Sequence, residues 1–141
     1  MLPEHADDAP AEPEAFLTAM DATAIDKTLL VYVTLVFPNA TKVHQAFEAT
    51  RTFAAKLARE RQFASLMVLH APGRIGSPNA PHGHLLIGPR AIPPLGLKYG
   101  VYDAELCNDR GQKLMADLWR EFEAGECPRT ARAGGRVECW K

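Results

Sequence analysis

The sequence lacks three features that would each assign it to a class of protein. Its three cysteines are odd in number and have no CxxC spacing, so neither a disulfide framework nor a zinc knuckle is indicated. No apolar run approaches the ~20 residues of a membrane span. The first 26 residues contain no lysine or arginine, whereas a signal peptide begins with basic residues. These absences predict a cytoplasmic protein without membrane contact.

The lack of basic residues at the start makes the charge distribution uneven. Residues 1–26 hold seven acidic residues, and the rest of the chain holds sixteen basic against ten acidic residues, a net charge of +6. The acidic segment also carries three prolines among many alanines, a composition typical of disorder. We therefore predict a largely disordered acidic leader over residues 1–26, an α+β domain over 27–126 and a basic flexible tail over 127–141.

Hydrophobic patterning predicts the element order β-α-β-β-α within this domain. The segment Thr28–Phe37 is rich in β-branched and aromatic residues, as central strands are. An amphipathic helix follows Thr41, and a last helix starts near Asn108 and ends at Gly125. Between the helices lie two further strands, Phe63–His70 and one that begins at His82. The order favours an antiparallel sheet with helices packed on one face.

Three histidines are the strongest functional signal in the sequence. In Pro81-His82-Gly83-His84, the alternation of a strand puts both imidazoles on one face. His70 ends the preceding strand, and antiparallel pairing brings it beside this pair. Three converging neutral imidazoles make a divalent metal site with open positions for water or substrate. The alternative is that the histidines are ordinary hydrogen-bonded residues of strands and loops.

The histidines also belong to a longer pattern. A hydrophobic strand and a helix precede a strand that ends in histidine, and a Pro-His-x-His strand is followed by a helix with Leu and Trp-Arg. The matching residues are His70, Asn79 to Ile87, Arg90, Gly96-Leu97-Lys98, Leu114 and Trp119-Arg120. In this pattern the chain resembles HUH endonucleases, and most of all the MobA/MobL relaxases of mobilisable plasmids, over roughly residues 28–124.

The resemblance implies an enzyme that processes single-stranded DNA at a plasmid transfer origin, together with mobilisation accessory proteins. In such enzymes three histidines hold Mg²⁺ or Mn²⁺, which polarises the scissile phosphate while a tyrosine attacks it. Here the ligands would be His70, His82 and His84. Arg90 and Lys98 would contact phosphates, and basic residues of the first helix and of the tail would form a track near the histidines.

The catalytic tyrosine of the MobA/MobL pattern has no counterpart in this chain. The family carries it in an N-terminal segment, and the corresponding acidic leader contains no tyrosine. We therefore expect a truncated form that binds metal and DNA but does not nick DNA efficiently. Tyr99 and Tyr102 are the remaining candidates for a nucleophile, because they follow the HxH strand as the tyrosine of rolling-circle replication initiators does. Tyr32 is expected in the core.

Four other functions stay open. A replication-initiator-like nickase would use Tyr99 or Tyr102, and a non-catalytic DNA-binding remnant would keep the fold alone. A nucleotide hydrolase or transferase of the histidine-triad type requires His-x-His-x-His, and Leu86 stands where the third histidine belongs. A purely structural protein would carry three unrelated histidines.

Overall fold

The structure is a computed structural model that describes residues 1–23, 30–71, 79–95 and 100–125, and the backbone of residues 136–140. A 3₁₀ turn at Ala9–Ala11 precedes the elements α1 Pro13–Ala22, β1 Val31–Val36, α2 Val43–Arg61, β2 Phe63–His70, β3 His82–Ala91, β4 Val101–Tyr102, α3 Gly111–Gly125 and β5 Arg136–Trp140. The predicted α+β class with an antiparallel sheet is confirmed. Among the helices in the described ranges, none has both the length and the apolarity needed to cross a membrane.

The sheet has the strand order β2-β3-β1-β5, and every neighbouring pair is antiparallel. The strands β1 and β2 are therefore parallel to each other with β3 between them, and β3 and β5 are parallel with β1 between them. In the chain, α2 connects β1 to β2, and α3 lies between β3 and β5. The sheet therefore contains two split βαβ units. Because β1 and β3 are central, their backbones are held by pairing on both sides.

The main core lies between one face of this sheet and the helices α2 and α3. Leu35 of β1 and Leu85 of β3 are fully buried in it. The ring of Trp119 on α3 lies 5.1 Å from that of Phe53 on α2 and 5.3 Å from that of Phe122. The tryptophan of the predicted Trp-Arg helix is therefore a core residue that joins the two helices.

A glycine between two of the histidines lets α2 lie close to the sheet. A Cβ atom at Gly83 would stand 2.3 Å from Oγ1 of Thr50. Thr50 is fully buried on α2, and its hydroxyl donates a hydrogen bond of 2.8 Å to the carbonyl of Ala46. Gly83 thus faces α2, and the alternation of the strand turns His82 and His84 to the opposite face.

Helix α1 covers part of that opposite face. Phe16 and Met20 of α1 are buried together with Ala64 and Ile92, and a Cβ at Gly88 would meet the sulfur of Met20. Helices therefore pack on both faces, whereas the sequence analysis expects them on one. The two buried side chains lie four residues apart and so share one side of the helix. Two apolar residues are a weak sequence signal for a packed helix within an acidic segment that contains prolines.

The first residues of the chain are also attached to the sheet. The ammonium group of Met1 donates to the carbonyl of Ser65, and the amide of Ser65 donates to the carbonyl of Met1 at 2.9 Å. Nε2 of His5 lies 2.6 Å from the carbonyl oxygen of Ile92. Residues 1–23 thus form packed structure where the sequence predicts a largely disordered leader.

The end of the chain departs from the prediction in the same way. The strand β5 pairs with β1 over five residues, from Tyr32 opposite Trp140 to Val36 opposite Arg136. Residues 136–140 of the predicted flexible tail are therefore a strand at the edge of the sheet. The sequence Arg-Val-Glu-Cys-Trp alternates as a strand does, but five residues are too few for periodicity alone to decide.

Candidate metal centre

Three histidines from two neighbouring strands form a cluster at one end of the sheet. The Cα of His70, at the end of β2, is paired with that of His82 at the start of β3, and His84 lies two residues further along. The ring centroids are 5.1 Å apart for His70 and His82, 4.8 Å for His70 and His84, and 4.9 Å for His82 and His84. The predicted convergence of the three imidazoles is confirmed.

The cluster has the dimensions of a metal site. One nitrogen from each ring can be chosen so that all three lie within 4.8 Å of one another. Three nitrogens on one tetrahedral ion with bonds of ~2.1 Å lie ~3.4 Å apart, so the most separated pair must approach by roughly 1.4 Å to bind it. His70 is exposed, and His82 and His84 are partly exposed. An ion and its further ligands can therefore enter from solvent.

Two of the rings have hydrogen-bond partners at Nδ1, which leave Nε2 of each ring for a metal. Nδ1 of His82 donates to the carbonyl of Ala80 at 2.9 Å. Nδ1 of His84 lies 3.1 Å from Oγ1 of Thr34, the residue opposite it on β1. When Nδ1 of each ring carries the hydrogen and donates to these oxygens, Nε2 is free to coordinate.

Thr34 is a residue of the candidate site that the sequence alone did not indicate. It is nearly buried, at 8% exposure, and lies on β1 within the predicted first strand. The signal that could have found it is the register between β1 and β3, which places Thr34 beside His84. That register depends on how two distant strands pair, and local periodicity does not contain it.

The environment of His84 favours its neutral form. Burial lowers the pKa of His84, and charge on the neighbouring His82 and His70 lowers it further. A neutral imidazole is the form that binds a metal ion. The clustering of the three rings therefore assists the ionisation state that coordination requires.

Tyr32 belongs to the histidine cluster, although the sequence analysis expects it in the core. Its ring is stacked on that of His84, with centroids 4.9 Å apart and planes inclined by 29°. Its side chain is partly exposed, whereas the flanking Val31 and Val33 are buried. Because side chains alternate along a strand, a tyrosine between two core valines faces away from the core. The same alternation, applied to β1, could have given this placement.

The sheet face around the cluster is open to solvent. Val68, paired with His84 across β2 and β3, is 39% exposed. Helix α1 packs on the same face near Gly88, four residues from His84 and thus ~13 Å along the strand, and its cluster extends to Leu66. Among the described residues, the histidines therefore lie on the more exposed end of a face whose other end packs against α1.

Arg90 and Tyr102 lie at the other end of β3. They are paired with each other across β3 and β4, and Arg90 is six residues from His84, a distance of ~20 Å along a strand. Nη1 of Arg90 donates to the carbonyl of Gly100 at 2.6 Å, so this guanidinium holds a connection in place. The expectation that Arg90 points to the histidine end is corrected, because β3 extends further than predicted. Tyr102 is separated from the cluster for the same reason.

The remaining predicted residues have different outcomes. Tyr99 and Lys98 lie outside the described residues, and their roles stay predictions. The basic residues of α2 are separated from the cluster by the sheet, because α2 packs on the face opposite the histidines. Two of its cations pair within the helix, Arg51 with Glu48 at 2.9 Å and Lys56 with Glu60 at 2.8 Å. The predicted basic track therefore does not run along this helix.

Comparisons of the chain with protein-family models, with curated proteins and with solved structures found no match. The resemblance to MobA/MobL relaxases stays a hypothesis.

Proposed function

We propose that the chain is a metal-dependent domain that processes single-stranded DNA in the manner of relaxases. The observation that carries the proposal is the convergence of His70, His82 and His84 on the open end of the sheet face. A divalent cation held there would polarise a phosphate oxygen and stabilise the negative charge that develops on it. The protein contributes three ligands on the paired β-strands β2 and β3 and the hydroxyl of Thr34, which orients His84. The exposed sheet face beside them would receive the DNA.

The donor set indicates which ions would fit. The resemblance implies Mg²⁺ or Mn²⁺, but the three donors are imidazole nitrogens, and the described residues add no carboxylate to the cluster. Imidazole suits zinc and other transition ions, whereas Mg²⁺ prefers oxygen ligands and keeps much of its water. We therefore favour Mn²⁺ or Zn²⁺ over Mg²⁺ at this site.

Binding of a fluorescently labelled oligonucleotide, followed by anisotropy, tests the proposal. We expect the affinity for single-stranded DNA to rise when Mn²⁺ or Zn²⁺ is added and to fall as salt increases, because phosphate contacts release counterions. His82→Ala should lose the metal-dependent part of the affinity. His44→Ala, which removes an exposed histidine of α2, is the matched control and should bind as the wild type does. Binding that is absent, or equal in EDTA and in metal, contradicts the proposal.

Strand cleavage tests the position of the tyrosines. The protein is incubated with Mn²⁺ and end-labelled oligonucleotides, and a denaturation-resistant protein–DNA adduct is sought. We expect no efficient adduct that depends on Tyr102, because this residue lies near Arg90 at the far end of β3. An adduct lost in Tyr102→Phe contradicts this placement. An adduct lost only in Tyr32→Phe would make the chain a complete nickase with its nucleophile on β1.

A further inference from the structure

Tyr32 provides an aromatic surface beside the proposed metal site. We infer that Tyr32 and His84 form a stacking platform for one base of a single strand of DNA whose phosphate lies at the histidine cluster. The inference rests on the proposed function. It adds a residue that contacts the substrate without being a metal ligand.

The geometry places the ring of Tyr32 where a base can reach it. It stacks on His84 at 4.9 Å, and the ring of His84 in turn meets those of His70 and His82 edge-on, at 80° and 74°. Tyr32 and His84 lie on the two central strands, whose backbones are held on both sides. The aromatic surface is therefore continuous with the ligand set and fixed relative to it.

The alternative role, packing in the core, does not fit the position of this side chain. The core face of β1 consists of Val31, Val33 and Leu35, which are all buried, whereas Tyr32 faces the opposite side of the sheet. Among the described side chains, α1 covers that side near Gly88 together with Leu2 and Ala6. A partly exposed ring on an open sheet face is a suitable partner for a flat ligand. An unpaired base presents such a face, but a base within a duplex is already stacked.

Stacking of a base on Tyr32 and attraction of a phosphate to the histidine cluster together predict a preference for single-stranded DNA. Aromatic stacking contributes to binding at each base and tolerates every base, because each one has a π-face. A cation at the histidines would attract the neighbouring phosphate. One nucleotide could therefore be held at its base by Tyr32 and at its phosphate beside the triad.

Variants of Tyr32 test the inference at saturating Mn²⁺ or Zn²⁺. Tyr32→Phe keeps the ring and should bind a labelled oligothymidylate as the wild type does. Tyr32→Val, a strand-forming residue without a ring, should lose about 5- to 150-fold in affinity, the range for one stacked base. Tyr102→Val is the matched control at the other end of the sheet and should leave the affinity unchanged.

An abasic oligonucleotide separates stacking from indirect effects. It retains the phosphates but has no bases, so wild type and Tyr32→Val should bind it equally. Equal losses on the thymidylate and abasic strands would overturn the inference, because Tyr32 would then act through His84 or the phosphate. A loss of metal affinity that accounts for the whole effect would overturn it as well. Metal affinity is measured separately by isothermal titration calorimetry.

Crosslinking gives a second measurement that needs no variant. An oligonucleotide with 5-iodouracil is irradiated on the wild-type protein, and the crosslinked peptide is identified by mass spectrometry. A crosslink at Tyr32 supports the platform, and crosslinks at other residues alone overturn it. If the wild type shows no metal-dependent DNA binding, the proposed function fails and the inference fails with it. If the wild type binds and Tyr32→Val binds equally well, only the inference fails.

Discussion

At the scale of single residues, the hydroxyl of Thr34 shows how the sheet determines the chemistry of a ligand. Thr34 and His84 are 50 residues apart in the chain, and their side-chain atoms Oγ1 and Nδ1 lie 3.1 Å apart. A hydroxyl oxygen at this position can accept a hydrogen bond from Nδ1 and hold the orientation of a ligating ring. The threonine is thus part of the candidate site.

Replacement of Thr34 by valine tests this role. Valine keeps the β-branched shape but lacks the oxygen, so the metal affinity should fall about 10- to 100-fold, the usual cost of losing an outer hydrogen-bond partner. Isothermal titration with Zn²⁺ measures the change. Thr52→Val on α2, where the hydroxyl donates to the carbonyl of Glu48, should leave the affinity unaltered. An unchanged affinity in Thr34→Val would show that the hydroxyl does not orient His84.

The lowered pKa of His84 predicts how stability depends on pH. The unfolded chain has a histidine pKa of about 6.5, and burial and the neighbouring histidines lower the pKa of His84 in the folded state. As pH falls through about 6.5 towards the folded pKa, the unfolded state binds more protons, and the free energy of unfolding decreases. Urea unfolding of the metal-free protein between pH 8 and 5 measures this loss. His84→Gln should show a shallower decrease, and an equal slope in both proteins would contradict the assignment.

At the scale of secondary-structure elements, Gly83 determines how closely β3, which carries His82 and His84, packs against α2. Its missing side chain leaves room for Thr50, whose Oγ1 would lie 2.3 Å from a Cβ at this position. The glycine of the His-Gly-His sequence therefore has a packing function on one face, while the two histidines serve the other face.

We expect Gly83→Ala to destabilise the protein by about 1 to 3 kcal/mol, as overpacking of a well-filled core does. Chemical denaturation measures the loss. When Thr50→Ala is added to the Gly83→Ala protein, the loss of stability caused by Gly83→Ala should become smaller. The effects of the two substitutions should therefore be non-additive. Gly125→Ala is the control, because a Cβ there meets no atom within 4 Å. Additive losses would show that the two residues do not compete for this space.

The elements also show what the sequence could and could not predict. The strand Phe63–His70, the first part of the strand His82–Ala91 and the long helix α2 have strong periodicity or propensity, and strand alternation correctly placed His82 and His84 on one face. The position of Tyr32 was missed although the same alternation contains it. Arg90 was misplaced because the end of β3 follows from pairing with β4, which involves only two residues. The helix α1 depends on Phe16 and Met20 finding a partner surface, and local composition does not reveal that surface.

At the scale of the whole molecule, the candidate site links three strands. The ligands lie on β2 and β3, and the outer partner Thr34 lies on β1. These residues meet only when the sheet is assembled, so a metal that binds the cluster binds the folded state in preference to the unfolded state. Occupancy of the site should consequently appear as stability of the entire domain.

Metal binding should therefore raise the resistance of the protein to unfolding. A free ion at 100 times its dissociation constant adds about 2.7 kcal/mol to the free energy of unfolding. At equal concentrations we expect Zn²⁺ to stabilise more than Mn²⁺, because Zn²⁺ stands above Mn²⁺ in the usual affinity order of divalent transition metals. Both should stabilise more than Mg²⁺, which prefers oxygen ligands. Urea unfolding with each ion, and again after EDTA, measures the effect. His70→Ala should lose most of the stabilisation because one of three ligands is gone, whereas His44→Ala should keep it. Equal stabilisation of wild type and His70→Ala would place the bound ion elsewhere and contradict the assignment of the triad as its ligands.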